Sequence, residues 1–480
     1  MPCLIAAATS GSGKTLVSLG LTAWLRRHGV SVQTFKVGPD YLDAEWLGSL
    51  SGRPCRNLDP VLCSEAWLRN SFRHWGSKVR YVLVEGVMGL YDGIGPGEEG
   101  SSAHVARLLD MPVVMVLDAS RQAGSAAALV RGFRDHGHPS LPIAGVILNK
   151  VGSARHAELL RQAMASIGMP VLGVLRRDDT LELPSRHLGL KPVHEQAAIQ
   201  EHSTRWADLM EQAIDWRRLR PLLQAPQLSN NPADHDPLGA LLRDAGLSTA
   251  DAIASARDPE SMTMAVASDA AFHFRYPESD ELLRRLGAQP VAWRPLEDEA
   301  LPAGCTAVVL PGGYPELHAA RLASCAQAFT ALRQAHERGM PIYGECGGLL
   351  LLGQELADTH DDGHRMAGLL PFRAGRGALS VGYRRLTPLQ NGLLVREGDV
   401  LRGHELHRWQ CLSSHELTSG GEPAQNLGLW MCEGWGIPRS SEGWSRAGIH
   451  ASWVHLHWAG CPMIPSRLYR AAKRFKAAGN

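Results

Sequence analysis

The chain has 480 residues, beyond the size at which one hydrophobic core keeps growing, so two or three domains are expected. Its formal net charge of +1, with acids and bases interspersed, gives no long-range field favouring nucleic acid or an anionic membrane. The nine cysteines form no CxxC pairs, and no apolar run approaches about twenty residues, which excludes a disulfide framework and points to a soluble, cytoplasmic protein acting on small molecules.

In chain order, the first predicted strand, Leu4 to Ala8, runs into Thr9-Ser10-Gly11-Ser12-Gly13-Lys14-Thr15 and a helical pattern from Leu16 to Arg26. Strand, glycine-rich loop and helix in this order let backbone N–H groups of Gly11, Ser12 and Gly13 surround phosphate oxygens. Lys14 then reaches the outer phosphates and Thr15 ligates magnesium. The strict P-loop pattern has glycine where this chain has Ala8; the alternative reading is a structural glycine turn.

The next strands, Val32 to Lys36 and Tyr81 to Val84, end in Val37-Gly38-Pro39-Asp40-Tyr41-Leu42-Asp43 and Glu85-Gly86-Val87-Met88-Gly89. Acids at strand ends are where an open α/β sheet presents its ligands. Asp40, Asp43 and Glu85 are therefore candidates to hold magnesium or organise a substrate, against turn-forming and helix-capping roles for the two aspartates. Further strands follow at Pro112–Leu117, Ile143–Leu148 and Val171–Val174, and Asn149 places an amide either against a nucleotide base or in a plain turn. Apolar strands alternating with helices predict a parallel sheet covered on both faces. Between Gln224 and Pro259 the texture turns to Pro, Asn, Asp and Ser with one short helical pattern, Leu238 to Ala245, predicting a linker over 224–261 between domains 1–223 and 262–480.

The second domain resumes the alternation, with strands at Met264–Ala267, Pro290–Trp293, Ala307–Leu310 and Pro341–Gly344, and helices at Asp280–Leu286 and Gln327–Arg338. In Gly344-Glu345-Cys346-Gly347-Gly348, small residues two before and two after the cysteine permit a strained elbow that exposes a nucleophile at a helix start. The N–H groups of Gly312 and Gly313, with that of Gly347, are natural oxyanion-hole donors. A cysteine nucleophile needs a base, and the candidates are His404 and His407, and His455 and His457. Spacing does not choose between the last two, which share a face if they lie in a strand. The run Asp358 to His364 looks metal-like but reads better as a solvated loop.

With both sites located, the chain resembles the cobyrinic acid a,c-diamide synthase family across nearly its whole length. The matching segments are TSGSGKT (9–15), KVGPDYLD (36–43), EGVMGLYDG (85–93), LPSRHLGL (183–190), SDAAFHFRYPE (268–278), LPGGYPE (310–316), GECGGLL (344–350), RGHELH (402–407) and ASWVHLHW (451–458). The resemblance implies an N-terminal P-loop NTPase-type, dethiobiotin-synthetase-like parallel-sheet domain joined to a C-terminal α/β class I-like glutamine amidotransferase domain. It implies Cys346 as nucleophile and His455 as its base. Ordinary class I glutaminases carry H-x-E there; this chain has His457 in place of the acid, which resembles the dyad type. ATP as co-substrate, Mg2+, glutamine and a corrinoid tetrapyrrole are the implied small molecules, and a homodimer is among the assembly states left open.

The implied reaction is amidation of the a and c acetate carboxylates of cobyrinate through an acyl phosphate. The same domains would also suit hydrogenobyrinate, nickel-sirohydrochlorin or other corrinoid carboxylates. Two rivals of a different class are a partitioning-type ATP switch with an inactive glutaminase-like domain, and a stand-alone cysteine hydrolase with a regulatory P-loop.

Overall fold

A computed structural model of the chain describes residues 2–137, 139–178, 185–186, 189–190, 192, 199–247, 262–412 and 428–479. It divides into two compact units, Met1–Pro237 and Leu238–Asn480.

In the first unit seven strands form one parallel sheet: β1 (Leu4–Ala7), β2 (Val32–Val37), β3 (Arg56–Leu58), β4 (Tyr81–Glu85), β5 (Val113–Asp118), β6 (Ile143–Val151) and β7 (Val171–Arg176), in the order β3-β2-β4-β1-β5-β6-β7. Both faces are covered, which is why β1, β2 and β4 are buried at every residue and why β1 and β4 read as near-continuous apolar runs rather than alternating ones. β1 lies between β4 and β5, so the chain leaves its carboxyl end where the strand order reverses direction, the place an open α/β sheet offers to a ligand. The three-residue edge strand β3 had no sequence signal.

The described part of the expected linker is folded. Gln224 bridges Tyr81, Asp234 is buried and paired with Arg73 at 3.6 Å, and helices span Pro232–His235 and Pro237–Asp244. Residues 248–261 lie outside the described residues, as do 183–184 and 187–188 of the LPSRHLGL segment. The remainder of that segment forms the short strands β8 (Ser185–Arg186) and β9 (Gly189–Leu190).

In the second unit β10 (Met262–Ala267), β11 (Ala288–Trp293), β12 (Cys305–Leu310), β13 (Ile342–Glu345) and β20 (Ile449–Ser452) run parallel in the order β11-β10-β12-β13-β20. Between β13 and β20 the chain builds a largely antiparallel extension. It comprises β14 (Glu355–Ala357), β15 (Gly363–Arg365), β16 (Arg373–Pro388), β17 (Leu401–Leu412), β18 (Gly428–Gly434) and β19 (Ile437–Arg446), continuing the sheet from β20. Its long strands carry polar residues on much of their surface, so the apolar runs that mark the other strands are missing. Among the described residues, no helix is long and apolar enough to cross a membrane.

Candidate active sites

The first unit gathers its charged residues at the carboxyl ends of β1, β2 and β4. Positive φ falls on Gly11 (78°) and Gly13 (95°) and not on Ala8, so alanine is tolerated where the strict pattern asks for glycine. A side chain on Gly13 would collide with the carboxamide of Asn149, whose Nδ2 donates to the Ser12 carbonyl at 2.9 Å. Asn149 thus ties the loop to β6. Lys150 beside it pairs with Asp118 at 2.7 Å and donates to the Gly11 carbonyl at 3.3 Å. Lys14 begins the helix Lys14–Arg27 and donates to the Met88 carbonyl at 2.7 Å.

The three acids come together around a residue that sequence reasoning passed over. Lys36, the penultimate residue of β2, is buried, with Nζ 2.8 Å from Asp43, 3.0 Å from Glu85 and 4.0 Å from Asp40. In sequence it is one of three polar residues in the strand, with Gln33 and Thr34, and no spacing marks it. Thr15 donates to Glu85 at 2.9 Å and reaches Asp43 at 3.4 Å. Asp40 also accepts from the Asp43 N–H at 3.1 Å, bracing the first turn of the helix Leu42–Ser51 alongside its place in the cluster.

The electrostatics follow from this packing. Burial opposes ionisation of Asp43, but Lys36 outweighs it and holds that carboxylate below its ordinary range. Burial raises Glu85, and burial together with Asp43 raises Asp40, against the pull of Lys36. Burial and the neighbouring Lys36 lower Lys14. Removing Lys36 would strand the buried carboxylate of Glu85 and the partly buried one of Asp43. Lys36→Met is therefore expected to destabilise the first unit by about 3–5 kcal/mol, read as a lowered denaturation midpoint.

Among the described residues no group of three or more His, Cys, Asp or Glu is arranged to hold a metal by itself. Magnesium bound with a nucleotide takes one or two carboxylates plus phosphate oxygens and water, so no such cage is required. The residues fit that demand: Glu85 Oε2 is buried without a hydrogen-bond partner, next to Thr15 and Asp43.

In the second unit three adjacent parallel strands, β12, β13 and β20, each deliver one part of a thiol site at their carboxyl ends. Cys346 follows β13 with φ 45° and ψ −102°, a strained backbone on a buried residue, and its N–H donates to the Ser452 carbonyl at 2.7 Å. The flanking glycines are required: a Cβ on Gly348 would strike the Leu310 carbonyl, and one on Gly347 would lie 3.0 Å from the Gly313 nitrogen. Gly312 and Gly313, just past β12, press against the site. A side chain on Gly312 would collide with the His455 ring.

The structure separates the two histidines that spacing could not. The segment after β20 is not a strand; His455 makes a single antiparallel bridge with His404 and the chain then turns. His455 hydrogen-bonds Cys346, and its Nδ1 lies 3.6 Å from Glu345. Burial alone would strip its proton, yet Cys346 and Glu345 together raise its pKa to about 10, which favours the imidazolium. His457 faces elsewhere, 3.8 Å from Glu278 and with its ring 4.2 Å from that of Tyr276.

Burial, His455 and Arg384 push His404 down to about 3, so it stays neutral. His407 stacks on Trp453 at 4.1 Å. His457→Asn is accordingly expected to cost glutamine hydrolysis less than about 10-fold, since an orienting or packing partner matters less than the base. Steady-state ammonia release from glutamine measures it. In the segment 358–364, Asp358 accepts from His360 N, Asp362 N and His364 Nε2, a self-satisfied loop.

Residues 3–190 match the CobQ/CobB/MinD/ParA nucleotide binding domain, and residues 263–462 match the CobB/CobQ-like glutamine amidotransferase domain. A cobyrinate a,c-diamide synthase of a Synechococcus species is 39% identical over 479 residues, covering 99% of both chains. A hydrogenobyrinate a,c-diamide synthase of Streptomyces coelicolor is 40% identical over 485 residues, covering 97% of this chain and 96% of the other. One from Brucella abortus is 44% identical over 411 residues, covering 84% of this chain and 88% of the other. With a nucleotide-binding unit and a glutamine amidotransferase unit on one polypeptide, the chain is an enzyme that belongs to the cobyrinate a,c-diamide synthase family of carbon–nitrogen ligases.

Proposed function

We propose that the chain uses ATP and glutamine to amidate the a and c acetate carboxylates of a cobyrinate-type corrinoid. The observation that carries this reading is the pairing of a P-loop acid cluster with a cysteine–histidine elbow in a chain aligned end to end with relatives of that name.

In the first unit the γ-phosphoryl group of ATP passes to a carboxylate oxygen of the substrate, giving an acyl phosphate and ADP. Lys14 and the N–H groups of residues 11–15 meet the phosphate charge. Thr15, Asp43 and Glu85 would hold Mg2+, with Asp40 organising the loop beside them; the ion's contribution is to neutralise charge on the phosphate oxygens. Ammonia attacks the acyl carbon, the C–O bond to phosphate breaks, and inorganic phosphate leaves.

In the second unit the Cys346 thiolate attacks the glutamine carboxamide carbon. N–H groups of Gly312, Gly313 and Gly347 face the developing oxyanion, and His455 gives its proton to the departing ammonia. Water then cleaves the thioester, releasing glutamate.

A second reading, with hydrogenobyrinate as substrate, is favoured by the Streptomyces and Brucella relatives, whose identity to this chain is as high. Incubation of cobyrinate, hydrogenobyrinate and nickel-sirohydrochlorin in turn with ATP, Mg2+ and glutamine, followed by mass spectrometry, decides between them. Two successive replacements of hydroxyl by amide on one corrinoid are expected. Amidation of the nickel compound alone would overturn the reading. The rival of an ATP switch with an inactive glutaminase-like unit predicts no glutamate release at all, which the intact elbow argues against.

A further inference from the structure

The H-x-E spacing of ordinary class I glutaminases is absent here, but the base does not lack a carboxylate. Glu345, the last residue of β13 and the neighbour of the nucleophile, is buried. Its Oε1 accepts from the Leu456 N–H at 3.0 Å and from the Tyr343 hydroxyl, while Oε2 lies 3.6 Å from His455 Nδ1. One oxygen therefore anchors the backbone just after the base, and the other faces the base itself. The second distance is longer than a hydrogen bond, as orienting contacts often are before substrate binds. His457, which stands at the position of the usual acid, is engaged with Glu278 instead.

We propose that Glu345 is the positioning residue of this glutaminase, taking over the role of the triad carboxylate. It aims the His455 ring at Cys346 and stabilises the imidazolium. The proposal rests on the reading of the second unit as a glutaminase.

The charged and titratable groups around the pair support it. Facing His455 are Cys346, Glu345, His404 and His407; facing Glu345 are Tyr343, Arg275 and Cys461. Burial holds the thiol of Cys461 protonated, and it holds His404 and His407 below the ordinary histidine range. Tyr343, raised by burial and by Glu345, is a neutral donor. Among the described residues, Cys346 and Glu345 are the groups that favour the imidazolium. Neutralising Glu345 must therefore lower the pH at which His455 loses its proton.

The test is Glu345→Gln, which keeps an oxygen acceptor for the Leu456 N–H, with Glu345→Asp as the charge-retaining control. The His455 imidazole is titrated by NMR in the full-length protein with labelled histidine, its signal assigned by loss in His455→Asn. In Glu345→Gln its pKa is expected to fall by about 1–3 units, the range for losing a contacting opposite charge. The alkaline limb of kcat/KM for glutamine hydrolysis is expected to move to lower pH in parallel. The fall in kcat, with KM unchanged, is expected to be on the order of 100-fold smaller than that of His455→Asn.

Glu345→Asp is expected to keep the titration near that of the parent, which separates loss of charge from loss of fold. An unmoved His455 titration and pH profile in Glu345→Gln would overturn the proposal and leave the glutaminase reading standing. A parent chain that releases no glutamate would overturn that reading, whereas the titration needs no turnover to be measured.

Discussion

Lys14→Ala is expected to lower amide synthesis by about 1,000-fold or more with either glutamine or high ammonium as nitrogen source, the scale on which phosphoryl transfer depends on a single positioned cation. Lys14 leads the helix that follows the phosphate loop, and in the free protein its Nζ rests on the Met88 carbonyl, a neutral acceptor from which it is readily drawn to a phosphate oxygen. The other nearby cation cannot take its place: Lys36 is locked among Asp43, Glu85 and Asp40, and withdrawing it would leave the buried Glu85 carboxylate without its cation. Lys150 is committed to Asp118. Glutamine hydrolysis by the second unit, assayed without ATP, should survive. Ammonia-dependent synthesis near the parent rate would show that the loop does not bind the transferred phosphate.

Much of this was legible in the sequence where burial on both faces leaves an uninterrupted apolar run. The strands β1, β4, β5 and β6 of the first unit, and β10 and β12 of the second, announce themselves that way over most of their length, and β1, β4 and β12 end in loops that carry candidate site residues. The antiparallel extension did not, because β16 and β19 expose much of their length and carry Arg, Ser and Glu where apolar alternation would have signalled a strand. Lys36 and Glu345 were hidden for a related reason. Each is a charged residue inside a strand motif, and its meaning comes from partners remote in sequence: Glu85 for Lys36, and His455 for Glu345. The ambiguity between His455 and His457 also has a physical source. A two-residue spacing implies a common face only in a strand, and here the chain turns after one bridge, sending the two rings to different carboxylates.

Cys346→Ala is expected to abolish glutamine-dependent amidation while leaving ammonium-driven synthesis within a few-fold of the parent. The nucleophile and the phosphate loop belong to different compact units, and each has its own sheet. In the proposed mechanism this thiol forms the covalent intermediate, so its removal takes away the whole route and the loss should reach the roughly million-fold scale seen when a nucleophile is deleted. His455→Asn should approach the same loss, because in the proposed mechanism the ring beside Cys346 gives its proton to the leaving ammonia. The two effects should not add in the double variant, since each alone already disables the same step. The substitution itself is mild for the fold: alanine keeps the Cys346 N–H bond to Ser452, and the strained φ of 45° is held by the surrounding strand ends. Parallel assays with glutamine and with ammonium chloride separate the outcomes. Loss of both activities in a protein with the parent's thermal transition would refute the division of labour between the two units, and survival of glutamine-dependent synthesis would remove Cys346 from the reaction.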